Sequence, residues 1–480
     1  MCARVTLVPV NTVLLYILGI VIVALGVLLS IVLHEAGHFA FAKLFKVRVG
    51  QFMVGFGKTL WSKKIGETEF GIKALPLGGY ISMSGMYPPI KPGGRARTAS
   101  TGFFQTLVQD AGPAVVDTLD PDPEDQDDRS GFFKTLVSDA RSASADTILP
   151  GHEDRVFYKL AIWKRIIIML GGPVMNLVIA IALYAIILCG LGIPTAVATV
   201  SAVPQCVLPA SSTSTTCAPT DPVSPSAKAG FRPGDKIESI GTTAITSWDQ
   251  TQSIIQKSAG KKLSITVLRS GHTVTLTATP VATKEYVYDA KGNKILNPDG
   301  TAKVVTVGYL GIVASQVLQA QPISAVGPTV WTTTTGVGSV VLNLPSRLVG
   351  VWNAAFSSAP RDPNGPIGLI GVGRIAGQIA TDGDPVSLRV EQLLAVLASL
   401  NIALFVFNLI PLMPLDGGHI IGALWEGVKR GTAKVFRRPD PGPVDTAKVV
   451  PLTFAVVIVL GAMSLLLVYA DIVKPISLPN

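Results

Sequence analysis

The chain has 480 residues, a mean hydropathy of +0.48 and only 15% charged residues, against about 25% in an ordinary soluble domain. The net charge is +9, but Lys and Arg flank apolar segments and no nucleic-acid motif is present. This balance argues against a soluble domain and a nucleic-acid binder, and points to a membrane protein of two or three domains.

Four stretches are free of charge and reach the ~20 residues a helix needs to cross a bilayer: Val5–Leu33, Ile166–Pro194, Gln392–Leu415 and Val449–Ala470. They predict transmembrane helices within 5–42, 162–194, 392–418 and 449–471. The first is too long for a signal peptide and no small-residue cleavage site follows it.

Between the first two spans, residues 44–87 read as short strands with Gly-rich turns, a hairpin or small sheet beside the membrane. Residues 88–160 are rich in Pro, Ser and Asp and read as a partly disordered acidic insert. It holds one repeat, GFFQTLVQDA at 102–111 and GFFKTLVSDA at 131–140, with apolar residues at helical spacing. Two amphipathic helices on the membrane surface is one reading; a duplicated segment without a role is the other.

Residues 197–315 read as a β-rich domain, with strands at Lys236–Ile240, Lys262–Leu268 and Thr273–Thr279 and a helix near Ser247–Ser258. Residues 316–390 form a mixed connecting region. Ile323–Leu344 is too rich in Thr and Gly to read as a fifth span.

Lys and Arg crowd 40–64, 155–165 and 429–448 and are absent from Cys189 to Ala227. By the positive-inside rule, loops 40–165 and 419–448 are cytoplasmic, and both termini and the long middle region lie outside. Cys206 and Cys217 fall in that outer region, where a disulfide and two free thiols both remain open; Cys189 reads as span packing.

The chemistry-bearing residues follow. His34-Glu35-Ala36-Gly37-His38 closes the first span. Positions i and i+4 share a helix face, so both imidazoles can hold one Zn²⁺ with Glu35 beside it, the H-E-x-x-H arrangement. Ionisable groups in a span are costly, which favours a functional role. Three protein ligands are usual for a catalytic zinc. Asp416, in Leu415-Asp416-Gly417-Gly418-His419 at the cytoplasmic end of the third span, is the best third ligand at the same depth; His419 is the rival. Asp471 lies at the wrong end.

These features together resemble the bacterial site-2 proteases, intramembrane zinc metalloproteases. The features that carry the resemblance are His34–His38, Pro76-Leu77-Gly78-Gly79-Tyr80, Gly171-Gly172-Pro173-Val174-Met175-Asn176, a single PDZ-like domain, and Asn408 followed by Leu415-Asp416-Gly417. The match covers the chain apart from about 90–155. The fold class it implies is a polytopic α-helical membrane protein with four transmembrane helices and an inserted β-rich, PDZ-like extracytoplasmic domain. It further implies Zn²⁺ on His34, His38 and Asp416, Glu35 as general base, and substrate contacts from Asn408, Asn176, Gly78 and Gly79. The implied substrates are single-span membrane proteins, such as anti-sigma factors or remnant signal peptides, in a bacterial plasma membrane. Two other readings use the same residues. A zinc transporter would need polar residues in both halves of the membrane, whereas these cluster on one side. An inactive PDZ scaffold would have a decayed ligand set, whereas this one is intact.

Overall fold

The computed structural model describes residues 10–88, 137, 140–141, 144, 147–148, 151, 153–207, 217, 221–287, 295, 297, 301–358, 361–362, 365–444 and 446–476. They form two compact units, one from the residues up to Gly190 together with those from Pro322 onward, the other from Leu191–Gln321.

The first unit opens on α1 (Val10–Leu44), apolar around its whole circumference as a lipid-immersed helix must be. Among the described residues, four helical segments are long and apolar enough to cross a membrane: Asn11–Leu44, Ile162–Leu191, Val386–Asn408 and Thr446–Val473. The second is α2 (Ile162–Ala185), continued by a π-helical turn, Ile186–Leu191. It ends short of the expected 194, because Ile193 already begins a strand. Cys189, in the π turn, is exposed rather than packed.

The expected connecting region 316–390 is largely helical: α5 (Val326–Leu342), α6 (Leu344–Phe356) and α7 (Leu369–Thr381). The threonines that broke its apolar pattern do not break the helix. Thr329, Thr333 and Thr334 each turn a hydroxyl back to the carbonyl four residues earlier, at 2.9, 2.9 and 2.7 Å. The third span is α8 (Val386–Asn408), and it stops before the Leu-Asp-Gly motif. Pro411 and Pro414 lack the N–H that would continue it. The chain turns, and a new helix, α9 (Asp416–Val435), starts at Asp416 itself. The expected single element over 392–418 is thus two helices. The fourth span is α10 (Val450–Val473).

Close packing on α1 is set by three glycines. A methyl at Gly19 would sit 2.3 Å from the Ala376 carbonyl oxygen on α7. At Gly26 it would sit 2.6 Å from Leu397 on α8, and at Gly37 it would sit 2.1 Å from the Gly171 carbonyl oxygen on α2. Small residues let helix backbones meet where lipid gives no hydrophobic drive. Asn401 on α8 adds a buried hydrogen bond to Ser30 at 2.9 Å.

Asp471 near the end of α10 is buried. It pairs with Arg361 at 2.7 Å and accepts from the backbone N–H of Gly368 and Gly371, at 2.9 and 2.8 Å, at the start of α7. A carboxylate there satisfies orphan helix donors and suits the helix dipole.

Strands β1 (Val49–Ile65) and β2 (Thr68–Met83) form an antiparallel pair that curls on itself. Gln51–Val54 pairs with Ser82–Gly79 on one side and with Glu69–Ile72 on the other. Glu69–Ile72 in turn pairs with Lys64–Trp61, so 79–83 is an edge. The base is fixed by a core of Ala42, Val47, Val49, Met83, Ile168 and Met169. The turn is tethered by Glu67, which accepts two bonds from Arg155 at 2.8 Å and one from Lys43 at 2.5 Å. Arg155, then Lys43, hold the Glu67 carboxyl down to about 2.

Of the sequence repeat, Val137 and Ala140 in the second copy are helical, and Ala140 is buried against Val450. The first copy lies outside the described residues.

The second unit holds a sheet ordered β10 (Val313–Gln319), β3 (Ile193–Ala202), β4 (Lys236–Ile240), β6 (Leu263–Arg269), β7 (His272–Ala278). The short β5 (Thr243–Ala244) joins β4, and β8 (Val281–Tyr286) pairs with β9 (Val304–Tyr309). Two short helices, α3 (Pro225–Ala229) and α4 (Trp248–Gln256), complete it. Val200, Ile237, Ile265, Val267 and Leu310 form its core. Buried Asp235 takes two bonds from Arg269 at 2.7 Å and caps the preceding turn through the Arg232 N–H at 2.8 Å. A disulfide joins Cys206 and Cys217.

Candidate metal centre

His34 and His38 stand one turn apart on α1, with Nε2 atoms 3.3 Å from each other. Asp416 reaches them from the first turn of α9, with Oδ2 3.3 Å from His34 Nε2 and Oδ1 3.3 Å from His38 Nε2. Among the described residues these three form a group that could hold a metal ion, one ligand atom from each lying within 4.8 Å of the others.

What stands behind each imidazole fixes which nitrogen faces the group. His38 Nδ1 donates to the Ile168 carbonyl at 2.7 Å, which leaves its Nε2 a bare acceptor. His34 Nδ1 lies 3.1 Å from the side-chain amide of Asn176 on α2. As placed, the amide nitrogen faces His34 and the Asn176 oxygen has no partner; with the amide turned over, that oxygen accepts the Nδ1 proton. Nε2 of His34 is then bare as well. Two lone pairs and a carboxylate therefore point at one another, and Asp416 Oδ2 has no hydrogen-bond partner. That arrangement is repulsive unless a cation sits among the atoms. The 3.3 Å separations also match a tetrahedral zinc, whose ligands at about 2.0–2.1 Å lie about 3.3–3.4 Å apart. The donor set fits Zn²⁺.

Glycines make the convergence possible. A methyl on Gly172 of α2 would lie 2.3 Å from His38 Nε2 and 2.6 Å from His34 Nε2. Gly417 and Gly418 let the 409–415 turn fold onto α9, since methyls there would meet the Ile410 carbonyl oxygen at 2.3 Å and the Met413 nitrogen at 2.6 Å.

A cleft of about 300 Å³ opens on the group, lined by Glu35, Gly79, Tyr80, Asn408 and His419 among others. Glu35 projects from α1 beside the edge segment of β2, and a methyl on Gly79 would lie 3.0 Å from Glu35 Cγ. Asn408 is the last residue of α8, so it enters the cleft from a different helix than Asp416. His419 lines the cleft without joining the ligand group.

Two expected substrate contacts are placed elsewhere. Asn176 is fully buried behind His34 and has no access to the cleft. Gly78 does not line the cleft; a methyl there would meet the Phe56 ring at 2.5 Å. The part of Asn176 was missed because an Asn in an apolar span carries no sign of which side chain it faces; its closeness to Gly171-Gly172 was the available signal.

Comparison with known proteins gives one answer. The profile described as "Peptidase family M50" matches residues 22–437. The chain is 31% identical over 472 residues to zinc metalloprotease Rip1 of Mycobacterium tuberculosis, covering 97% of this chain and 99% of the other. It is 26% identical over 423 residues to metalloprotease MmpA of Caulobacter vibrioides, covering 86% and 87%. It is 26% identical over 430 residues to zinc metalloprotease RasP of Oceanobacillus iheyensis, covering 85% and 90%.

Proposed function

The chain belongs to peptidase family M50, the site-2 proteases, and we propose that this multi-pass membrane zinc metalloprotease is an endopeptidase for single-span membrane proteins. The observation that carries this reading is the meeting, in one cleft, of three bare metal donors, a carboxylate and a strand edge.

In this reading His34, His38 and Asp416 hold the zinc, and Asn176 and the Ile168 carbonyl orient the two imidazoles. Bound there, zinc would supply Lewis acidity toward a water and the scissile carbonyl. Glu35 takes the proton from that water and passes it to the leaving amine. Asn408 offers its side-chain amide to the substrate backbone or to the oxygen that gains charge in the transition state. A transmembrane helix hides its carbonyls in its own hydrogen bonds. The edge segment 79–83 gives an unwound substrate a strand to pair with beside Glu35, and Gly79 keeps that approach open.

The substrates are anti-sigma factor-like proteins or remnant signal peptides, already trimmed outside the membrane by a first protease. The enzyme sits in a bacterial plasma membrane with loops 40–165 and 419–448 cytoplasmic, as the Lys and Arg distribution supports. The β-rich unit is a PDZ-like extracytoplasmic domain that selects substrates; its disulfide suits an oxidising compartment.

The test is cleavage of a truncated single-span substrate by purified protein in liposomes, with bound zinc assayed in parallel. Glu35→Gln should keep the zinc and lose cleavage by at least about 100-fold, the scale of a general base. Retained cleavage would remove Glu35 from the mechanism.

A further inference from the structure

We infer that the C-terminal half of α9, with the turn that follows it through Arg438, is a binding surface for anionic phospholipid headgroups, so that the helix carrying Asp416 is also anchored by lipid charge.

The path of α9 sets where this surface lies. Its first residue is at the metal group, beside Gly172 of α2. Eleven residues on, Gly427 lies against Ile162, the first residue of α2, with 3.6 Å between a methyl placed there and Ile162 Cδ1. Next to it Glu426 pairs with Arg165 of α2 at 2.6 Å. So α9 runs alongside α2 for about 16 Å at 1.5 Å per residue, from the reaction centre to the end of the span. Residues 428–438 continue past that end, where the bilayer surface must be if α2 crosses it.

Side-chain chemistry changes along this path. Ile421, Leu424, Trp425 and Val428 are exposed at helical spacing, as lipid-facing residues would be. Trp425 and Trp163, beside the Ile162 contact, are 54% and 56% exposed, at the depth where tryptophan prefers to sit. Beyond them come Lys429, Lys434, Arg437 and Arg438, all exposed, with no acid between Glu426 and Asp440. The two nearest carboxylates are already engaged. Glu426 is taken by Arg165 and by the Val444 N–H, and Arg430 bridges Glu426 and Asp440 at 3.1 and 3.5 Å. Among the described residues, none of the four remaining cations has an ion-pair partner. Val435 and Phe436 stand among them, 77% and 71% exposed. Cations interleaved with exposed apolar side chains match a headgroup layer: phosphate for the charges, acyl boundary for Phe436. A soluble partner would not require the apolar pair.

The experiment is native mass spectrometry of the full-length protein in mild detergent, titrated with phosphatidylglycerol or phosphatidylcholine of identical chains. The comparison is with Lys429→Gln/Lys434→Gln/Arg437→Gln/Arg438→Gln, accepted as folded if it binds zinc in the wild-type ratio. Wild type should retain phosphatidylglycerol about tenfold better than phosphatidylcholine, and the variant should lose most of that preference. Lys58→Gln/Lys63→Gln/Lys64→Gln, which removes three positive charges from β1, should keep it. No preference in wild type, or an equal loss in both variants, would overturn the assignment. So would unchanged lipid retention accompanied by faster proteolysis of the acidic stretch 117–128, which would give the cations to that segment.

Discussion

Two aspartates in the first unit, Asp471 buried and Asp416 half-buried, show how differently one membrane protein can treat a carboxylate. Asp471 has everything it needs from the chain: a guanidinium at 2.7 Å and two backbone N–H groups at the start of α7. Asp416 also sits at a helix start, but it faces two imidazole nitrogens at 3.3 Å, and its Oδ2 has no hydrogen-bond partner. The first is complete without an ion and serves folding. The second, in the function proposed above, takes an ion and serves chemistry. The difference lies less in burial than in what the neighbouring donors have already committed elsewhere.

Exchanging the acid at each site tests this most strongly. Asp416→Asn should weaken zinc binding by more than about 100-fold, beyond the effect of an outer-sphere change, and leave unfolding of the metal-free protein nearly unchanged. Asp471→Asn should do the reverse, keeping zinc and losing about 3–5 kcal/mol of stability by leaving Arg361 buried and uncompensated. Metal titration and denaturant unfolding of both variants measure the pair. If Asp471→Asn also lost zinc, the two sites would not be separable.

The next effect in size is steric. Gly172→Ala drives a methyl into both imidazole nitrogens and should abolish zinc binding. Gly427→Ala meets nothing nearer than 3.6 Å and should retain the metal with slightly higher helix stability. A smaller change is expected at Asn176→Ala, which leaves the ligands in place but unfixes the His34 ring; zinc affinity should fall about 10–100-fold by competitive chelation. The smallest is the pH response of the Glu67 tether. Its carboxyl is held below the ordinary value, so the stability it contributes is full above about pH 4.5 and fades as pH falls toward 2. Glu67→Gln should flatten that part of the stability profile, read by unfolding at stepped pH.

Much of the metal group was legible in the sequence, because a two-histidine spacing of four on an apolar helix has one geometric consequence. Asp416 could be picked out by its place at a span end, but not the break before it: hydropathy runs on through Pro411 and Pro414 although the helix stops at Asn408. The helix Val326–Leu342 was hidden by threonines whose hydroxyls, in the fold, are spent on the helix's own carbonyls. Periodicity says nothing of pairings across the chain, so neither the Asn176–His34 nor the Arg361–Asp471 pairing follows from it.

The three glycines of α1 have a consequence for what counts as an equivalent span. Gly19, Gly26 and Gly37 meet α7, α8 and α2 at successive heights, so the helix works as a keyed shaft, and the notches as much as the oiliness decide what can mate with it. A leucine-rich segment of the same length, grafted ahead of an intact His34–His38, would insert into a bilayer as readily and still hold its neighbours a side chain too far away. Transplanting this reaction centre into another membrane scaffold would therefore mean copying the relief of the helix along with its histidines.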